Sequence, residues 1–244
     1  MITTEQVQGH WARRWIKAPG FEDHSTRVHW AQVGSLYADV RIPSDRPALG
    51  SATSLAAMPS VALVEFCKAE GFAGTTSLSG DSCTWHREVN FHGAPDGEDV
   101  GQISFDENGD MIEAGVLSDY TELWAHSSAP HSTAFRLAGA GFEGILATVG
   151  ETFVLAIDRP GRAATKPLIE ALCSGGLSGI ETLFDGIYAM GVWDGANATA
   201  KIATQPFSEG TSILAMKGNH AMWHRIDFAG ERSSIPLAVE PGTP

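Results

Sequence analysis

The chain has 244 residues, 43% of them apolar and 18% charged, with 27 Gly and 12 Pro. Length and composition describe a globular chain with enough bulk for a real core, and they exclude disordered, collagen-like and small disulfide-scaffold classes. The formal net charge of −13 repels phosphate backbones and anionic lipid surfaces, so neither nucleic acid nor a membrane is expected as a partner. The longest uncharged stretch, between Arg46 and Glu65, carries Pro47, Pro59, Gly50 and several Ser and Thr, too many interruptions for a membrane-spanning helix. The opening Met-Ile-Thr-Thr-Glu-Gln does not read as a signal peptide. Cys67, Cys83 and Cys173 form no CxxC pair, so a cytoplasmic protein with free thiols is expected.

In chain order, short runs rich in Val, Ile, Thr, Tyr and Trp with an apolar period of two predict strands. In the first half these are Thr26–Val33, Ser35–Ile42, Thr84–Phe91, Val100–Phe105, Met111–Leu117 and Asp119–Ala125, with a helix over Pro59–Ala69 after the second. The second half continues with Phe142–Val149, Thr152–Ile157, a helix over Lys166–Ser174, then Gly186–Trp193, Ala198–Thr204, Thr211–Lys217 and Ala221–Phe228. Both helices place apolar residues at helical spacing, and Pro167 suits a first turn.

The two halves repeat one another. Val33-Gly34-Ser35-Leu36-Tyr37 recurs as Val149-Gly150-Glu151-Thr152-Phe153, Cys67 as Cys173, Trp85 as Trp193, and Leu123-Trp124 as Met222-Trp223. Closing a sheet into a barrel removes its edges, and a barrel of about eight strands can hold one small ligand. We therefore expect an all-β chain of two tandem lipocalin-like antiparallel β-barrels, each with one short helix, over residues 1–127 and 128–244. A pair of sandwiches is the alternative.

Trp11–Trp15, Tyr37-Ala38-Asp39-Val40-Arg41-Ile42-Pro43, Cys83-Thr84-Trp85-His86-Arg87-Glu88 and Asp119-Tyr120-Thr121-Glu122-Leu123-Trp124 resemble a family of fungal and bacterial proteins built from two lipocalin-like (calycin) barrels. The resemblance lies mainly in residues 9–126. It implies the fold and implies no activity. Cofactor-free hydratases and cyclases occur among other tandem lipocalin-like proteins, which is an analogy of fold only.

The repeat also serves as a control, because the second half shows which side chains such a barrel can fold without. At matched offsets Trp30 meets Leu146, Asp39 meets Leu155, Arg41 meets Ile157, Tyr120 meets Asn219 and Glu122 meets Ala221. Strand alternation puts Tyr37, Asp39 and Arg41 on one face, Tyr120, Glu122 and Trp124 on another, and His86 with Glu88 on a third. Glu113 falls among apolar neighbours, where a carboxyl has a raised pKa and can serve as an acid or base. Plainer readings stand beside these: a solvated Asp39–Arg41 pair, a rim latch made of Tyr120, Glu122 and Trp124, a structural His86, and Trp11, Trp15 and Trp30 as plug and core residues. Arg87 competes with His86, since it points inward if Trp85 does.

No metal site is expected. His220 and His224 stand too far apart along a strand for one ion, and His86-x-Glu88 lacks a third ligand. Nucleotide-binding and nucleophile motifs are absent, so no cofactor is expected. The leading expectation is a cofactor-free acid–base enzyme of lyase, hydratase, isomerase or cyclase type, acting on a small aromatic or apolar anionic molecule in the first barrel. Arg41 would bind the anion with Asp39 orienting it, Glu122 or Glu113 would be the base, Tyr120 or His86 the acid, and Trp30, Arg87 and Trp124 further contacts. The second barrel would be scaffold, and a homodimer is compatible with this reading. The alternatives are a non-catalytic small-molecule carrier and a protein-interaction module.

Overall fold

The computed structural model describes residues 1–95 and 97–242. The first half begins with a single helical turn, α1 (Thr4–Val7), and continues with β1 (Gly9–Ala18), β2 (Phe21–Asp23), β3 (Arg27–Val33), β4 (Leu36–Ile42), α2 (Ser60–Phe66), β5 (Glu70–Ser79), β6 (Ser82–Asn90), β7 (Asp99–Phe105), β8 (Met111–Gly115) and β9 (Thr121–Ser127). Every pairing is antiparallel, and β9 returns to β1 with Trp11 opposite His126, so β1 and β3–β9 close into an eight-stranded barrel. Strand β2 extends β1 beyond the barrel as a short hairpin.

The second half forms another closed eight-stranded barrel from β10 (Ser132–Gly139), β11 (Phe142–Val149), β12 (Thr152–Asp158), β13 (Ile187–Trp193), β14 (Asn197–Ala203), β15 (Ser212–Lys217), β16 (His220–Ile226) and β17 (Arg232–Pro241). Its helix α3 (Lys166–Cys173) follows β12, as α2 follows β4. The β3–β4 and β11–β12 hairpins turn on Gly34 and Gly150, whose φ values of 59° and 58° lie in the left-handed region that favours glycine. Both barrels also break register one strand later at the same place, between Ala73 and Gly74 on β5 and between Met190 and Gly191 on β13. A shared bulge is a stronger sign of common plan than any shared side chain.

The predicted strands missed β1, the short β2, β5, β10 and β17. β1 is crowded with Arg and Trp, β5 is rich in Gly, Ser and Thr, and β17 contains Pro236, so none shows a clean apolar alternation. Losing β5 shifted the internal alignment by one strand. Trp85 lies on β6 and Trp193 on β13, and Trp124 lies on the closing strand whereas Trp223 does not, so these landmarks are not counterparts. The two helices are.

The barrels share a core. The outward side chains Ala38, Val40 and Ile42 of β4 join Ile145, Ala147, Val154 and Ala156 of the second barrel, with Phe66 of α2 and Leu172 of α3, in one buried cluster. Small residues allow this approach: a Cβ on Gly71 would stand 2.5 Å from the Tyr188 ring. Arg46 donates to the Ala203 carbonyl at 2.7 Å and to Glu209, and Arg162 bridges the Phe91 and Thr182 carbonyls. Among the described residues no helix is long and apolar enough to cross a membrane, and Cys67, Cys83 and Cys173 are unpaired.

Candidate functional site

The interior of the first barrel has an apolar end and a polar end. Val7, Trp11, Ile103 and Met111 are buried together at one end, where α1 closes the barrel and Trp11 donates its indole N–H to the Val7 carbonyl. Trp15 does not join this plug. A register break between Arg13 and Trp15 turns it to the outside, half-buried, with the Lys17 ammonium 4.8 Å from its ring.

Toward the other end lies a cavity of about 240 Å³ lined by Trp30, Asp39, Arg41, Phe72, Trp85, Arg87, Asp99, Glu113, Tyr120, Glu122 and Trp124, with Ile16 and Ser118. Alternation along β4 brings Asp39 and Arg41 inside, and Arg41 Nε donates to Asp39 Oδ1 at 3.0 Å. Arg41 Nη1 stands 3.8 Å from Glu122 Oε1, which also accepts from Arg13 Nη1 at 2.5 Å. Arg13 reaches on to Asp23 of β2 at 3.2 Å. Across the cavity Arg87 is paired with Asp99, and its guanidinium lies 3.7 Å from the Phe72 ring centre, where that of Arg41 lies at 5.0 Å.

Glu113 and Glu122 are direct partners on β8 and β9, both buried, and Tyr120 donates its hydroxyl to Glu113 Oε1 at 2.8 Å. Glu113 lies against Gly101, where a Cβ would stand 2.8 Å from its Cγ. Burial, and after it the adjacent Glu122, pushes Glu113 up to about 8, so at neutral pH it carries a proton. Burial pushes Asp39 up to about 6 although Arg41 lies beside it. Burial and Glu113 move the Tyr120 phenol well above its ordinary value, so it stays a donor. Trp30 and Trp124 pack edge-to-face at 6.2 Å, and neither indole N–H has a partner among the described residues.

Of the residues singled out from sequence, Trp30, Asp39, Arg41, Arg87, Glu113, Tyr120, Glu122 and Trp124 therefore meet around one cavity. His86 does not. Trp85 points inward and takes Arg87 with it, so His86 is exposed outside the barrel, 2.8 Å from the Ser77 hydroxyl, and cannot act as the acid of this site. Arg13, Phe72, Trp85 and Asp99 were missed as site residues. Arg13 sits in an unrecognised strand, and Asp99 is one residue before the predicted start of β7; their polar character beside inward tryptophans was the available signal. Among the described residues no three His, Cys, Asp or Glu side chains converge as a metal site would require.

The second barrel sharpens the comparison. Tracing the registers outward from the shared hairpin, Asp39 and Arg41 correspond to Leu155 and Ile157, and Arg87 to Ala200. The residue opposite the counterpart of Trp85 is Leu214, in the place of Asp99. In the other direction Arg13 corresponds to Leu137 and Glu122 to Leu237, whose partner Ala221 stands in the place of Glu113. This replaces the sequence pairing of Glu122 with Ala221, an error caused by the missed strand β17. All seven counterparts belong to one apolar core. Where the first barrel holds three guanidinium and four carboxyl groups, the second is filled with hydrocarbon.

No family model matches the chain, and no curated protein matches it either. Among solved structures it is similar to the uncharacterized protein YLR301w from Saccharomyces cerevisiae, with a TM-score of 0.56 and 11% identity, covering 96% of this chain and 98% of that one. At that identity the likeness concerns the fold alone.

Proposed function

We propose that the first barrel is a lipocalin-like small-molecule site that performs cofactor-free acid–base chemistry, of lyase, hydratase, isomerase or cyclase type, on a small aromatic or apolar molecule bearing an anionic group, in a cytoplasmic protein. One observation carries this reading: six ionisable side chains that line a cavity, with Arg13 paired to Glu122 behind them, stand at positions that a barrel of the same plan, in the same chain, fills with apolar ones. Buried charges cost desolvation energy that an apolar core does not, so folding does not explain them. Arg41 and Arg87 each keep guanidinium N–H groups beyond those given to Asp39 and Asp99, and flank Phe72 where a planar or apolar anion can lie. Glu113 supplies the proton, Tyr120 holds its carboxyl in place, and Glu122 on the adjacent strand receives the proton removed from substrate. Two buried acidic groups side by side, with Glu113 protonated, are the arrangement in which environment divides acid from base.

The test is a thermal-shift screen of small organic acids followed by NMR detection of turnover. A binder stabilising wild type is expected to be converted, and Glu113→Gln should keep binding while losing at least about a hundredfold in rate. Turnover unchanged in Glu113→Gln would overturn the proposal, and tight binding without turnover would favour a carrier.

A further inference from the structure

The cavity reaches the end of the barrel where β1 passes into the β2 hairpin and β8 passes into β9, since Ile16 near the end of β1 and Ser118 in the β8–β9 loop both line it. These exits adjoin, because Lys17 pairs with Glu22 on one side and with Thr121 on the other. Both carry exposed apolar side chains: Phe21 is 56% exposed on the hairpin, and Val116 and Leu117 are 53% and 67% exposed on the β8–β9 loop. Each loop is tied to the site, the hairpin through Asp23 and Arg13 to Glu122, and the β8–β9 loop through Ser118 and Tyr120, which line the cavity. Inside the mouth, Arg41 and Arg87 are about one-fifth exposed. The polarity is thus ordered from charged within to apolar at the rim.

We propose that the ligand is an amphiphile bound head-first: its anionic head sits between Arg41 and Arg87, and its apolar extension lies outward over Phe21, Val116 and Leu117. This rests on the small-molecule reading of the cavity. A volume of about 240 Å³ is smaller than the roughly 300–1,000 Å³ of sites that enclose a drug-sized ligand, so a longer molecule must leave part of itself outside. The part left there meets the exposed apolar side chains, which no packing in the fold requires. A membrane surface is disfavoured as the occupant by the net charge of −13.

Calorimetric titration with butanoate, hexanoate, octanoate and decanoate tests the inference. Affinity is expected to rise about twofold to fourfold per added methylene as the rim is covered. In the double variant Phe21→Ser with Leu117→Ser the rise should flatten while butanoate binds as before, and Arg87→Met should weaken every member alike. Both rim residues are exposed, so circular dichroism and melting temperature should match wild type, and Val116→Ser provides a second rim variant if they do not. Binding with no dependence on chain length overturns the rim inference and leaves the cavity reading standing; no binding by any member overturns the head-first inference, with the Glu113→Gln experiment judging the cavity separately. Rim-dependent flotation with phosphatidylcholine vesicles, or rim-dependent dimerisation in sedimentation, also overturns it by assigning the surface to another occupant.

Discussion

Glu113 shows how one side chain is set by what surrounds it. It faces Glu122 across two strands, lies against Gly101, and accepts from Tyr120; burial pushes it up to about 8 from an ordinary 4.5. The folded protein therefore binds a proton between roughly pH 4.5 and 8 that the unfolded chain has released, and its stability falls as pH rises through that window. Glu113→Gln keeps an acceptor for Tyr120 and removes the titration. It is expected to melt several degrees above wild type at pH 8.5, with the advantage shrinking toward zero near pH 4.5; calorimetric melts across that range check this. An advantage that does not depend on pH would show that Glu113 is not protonated in the folded state.

At the scale of an element, β4 has two buried faces with different tasks. Ala38, Val40 and Ile42 face the second barrel, while Asp39 and Arg41 face the cavity. From sequence, Arg41→Ile alone would copy the second barrel without harm. The structure changes that expectation, because Arg41→Ile strands Asp39, whose carboxyl is buried and accepts from Arg41 at 3.0 Å. Removing one partner of such a pair typically costs about 3–5 kcal/mol, whereas replacing both with apolar groups is often neutral or stabilising. Arg41→Ile is accordingly expected to lower the melting temperature by roughly 6–20 °C, and Asp39→Leu with Arg41→Ile to recover it while losing ligand binding. A double variant no more stable than the single one would mean that this strand needs its charges to fold.

The whole molecule is built on the face between the barrels. Its core draws on β4, β11, β12 and both principal helices, and Tyr188 fills the space left by Gly71. A chain of residues 1–127 alone would expose Val40, Ile42, Leu63 and Phe66, an apolar surface of the kind that drives association. Expressed by itself, this half is expected to bind apolar dyes and to oligomerise in size-exclusion chromatography, and a monodisperse monomer with a cooperative melt would show that the shared core is dispensable. In the same sense the second barrel acts on the site from outside it: it holds the outer face of β4, and so the positions of Asp39 and Arg41, while its own interior stays apolar.

What the sequence by itself determined is what local patterning encodes. Alternation marked β4 and β9 as strands carrying Asp39, Arg41, Glu122 and Trp124 on one side, and the Gly34 and Gly150 hairpins revealed two halves of one plan. Strands without clean alternation were invisible: the inner face of β1 turns from Trp11 to the charged Arg13, β5 is diluted by Gly, Ser and Thr, and β17 is interrupted by Pro236, so none offers an apolar period to read. Only the tertiary structure decided which way β6 faces, excluding His86 and admitting Arg87, since a strand's pleat defines two sides but closure of the barrel determines which is inside. It alone brought Arg13 to Glu122, 109 positions away in the chain, by pairing the first strand with the last. The pKa of Glu113 belongs there too, for desolvation depends on what packs around a carboxyl and not on what precedes it in the chain.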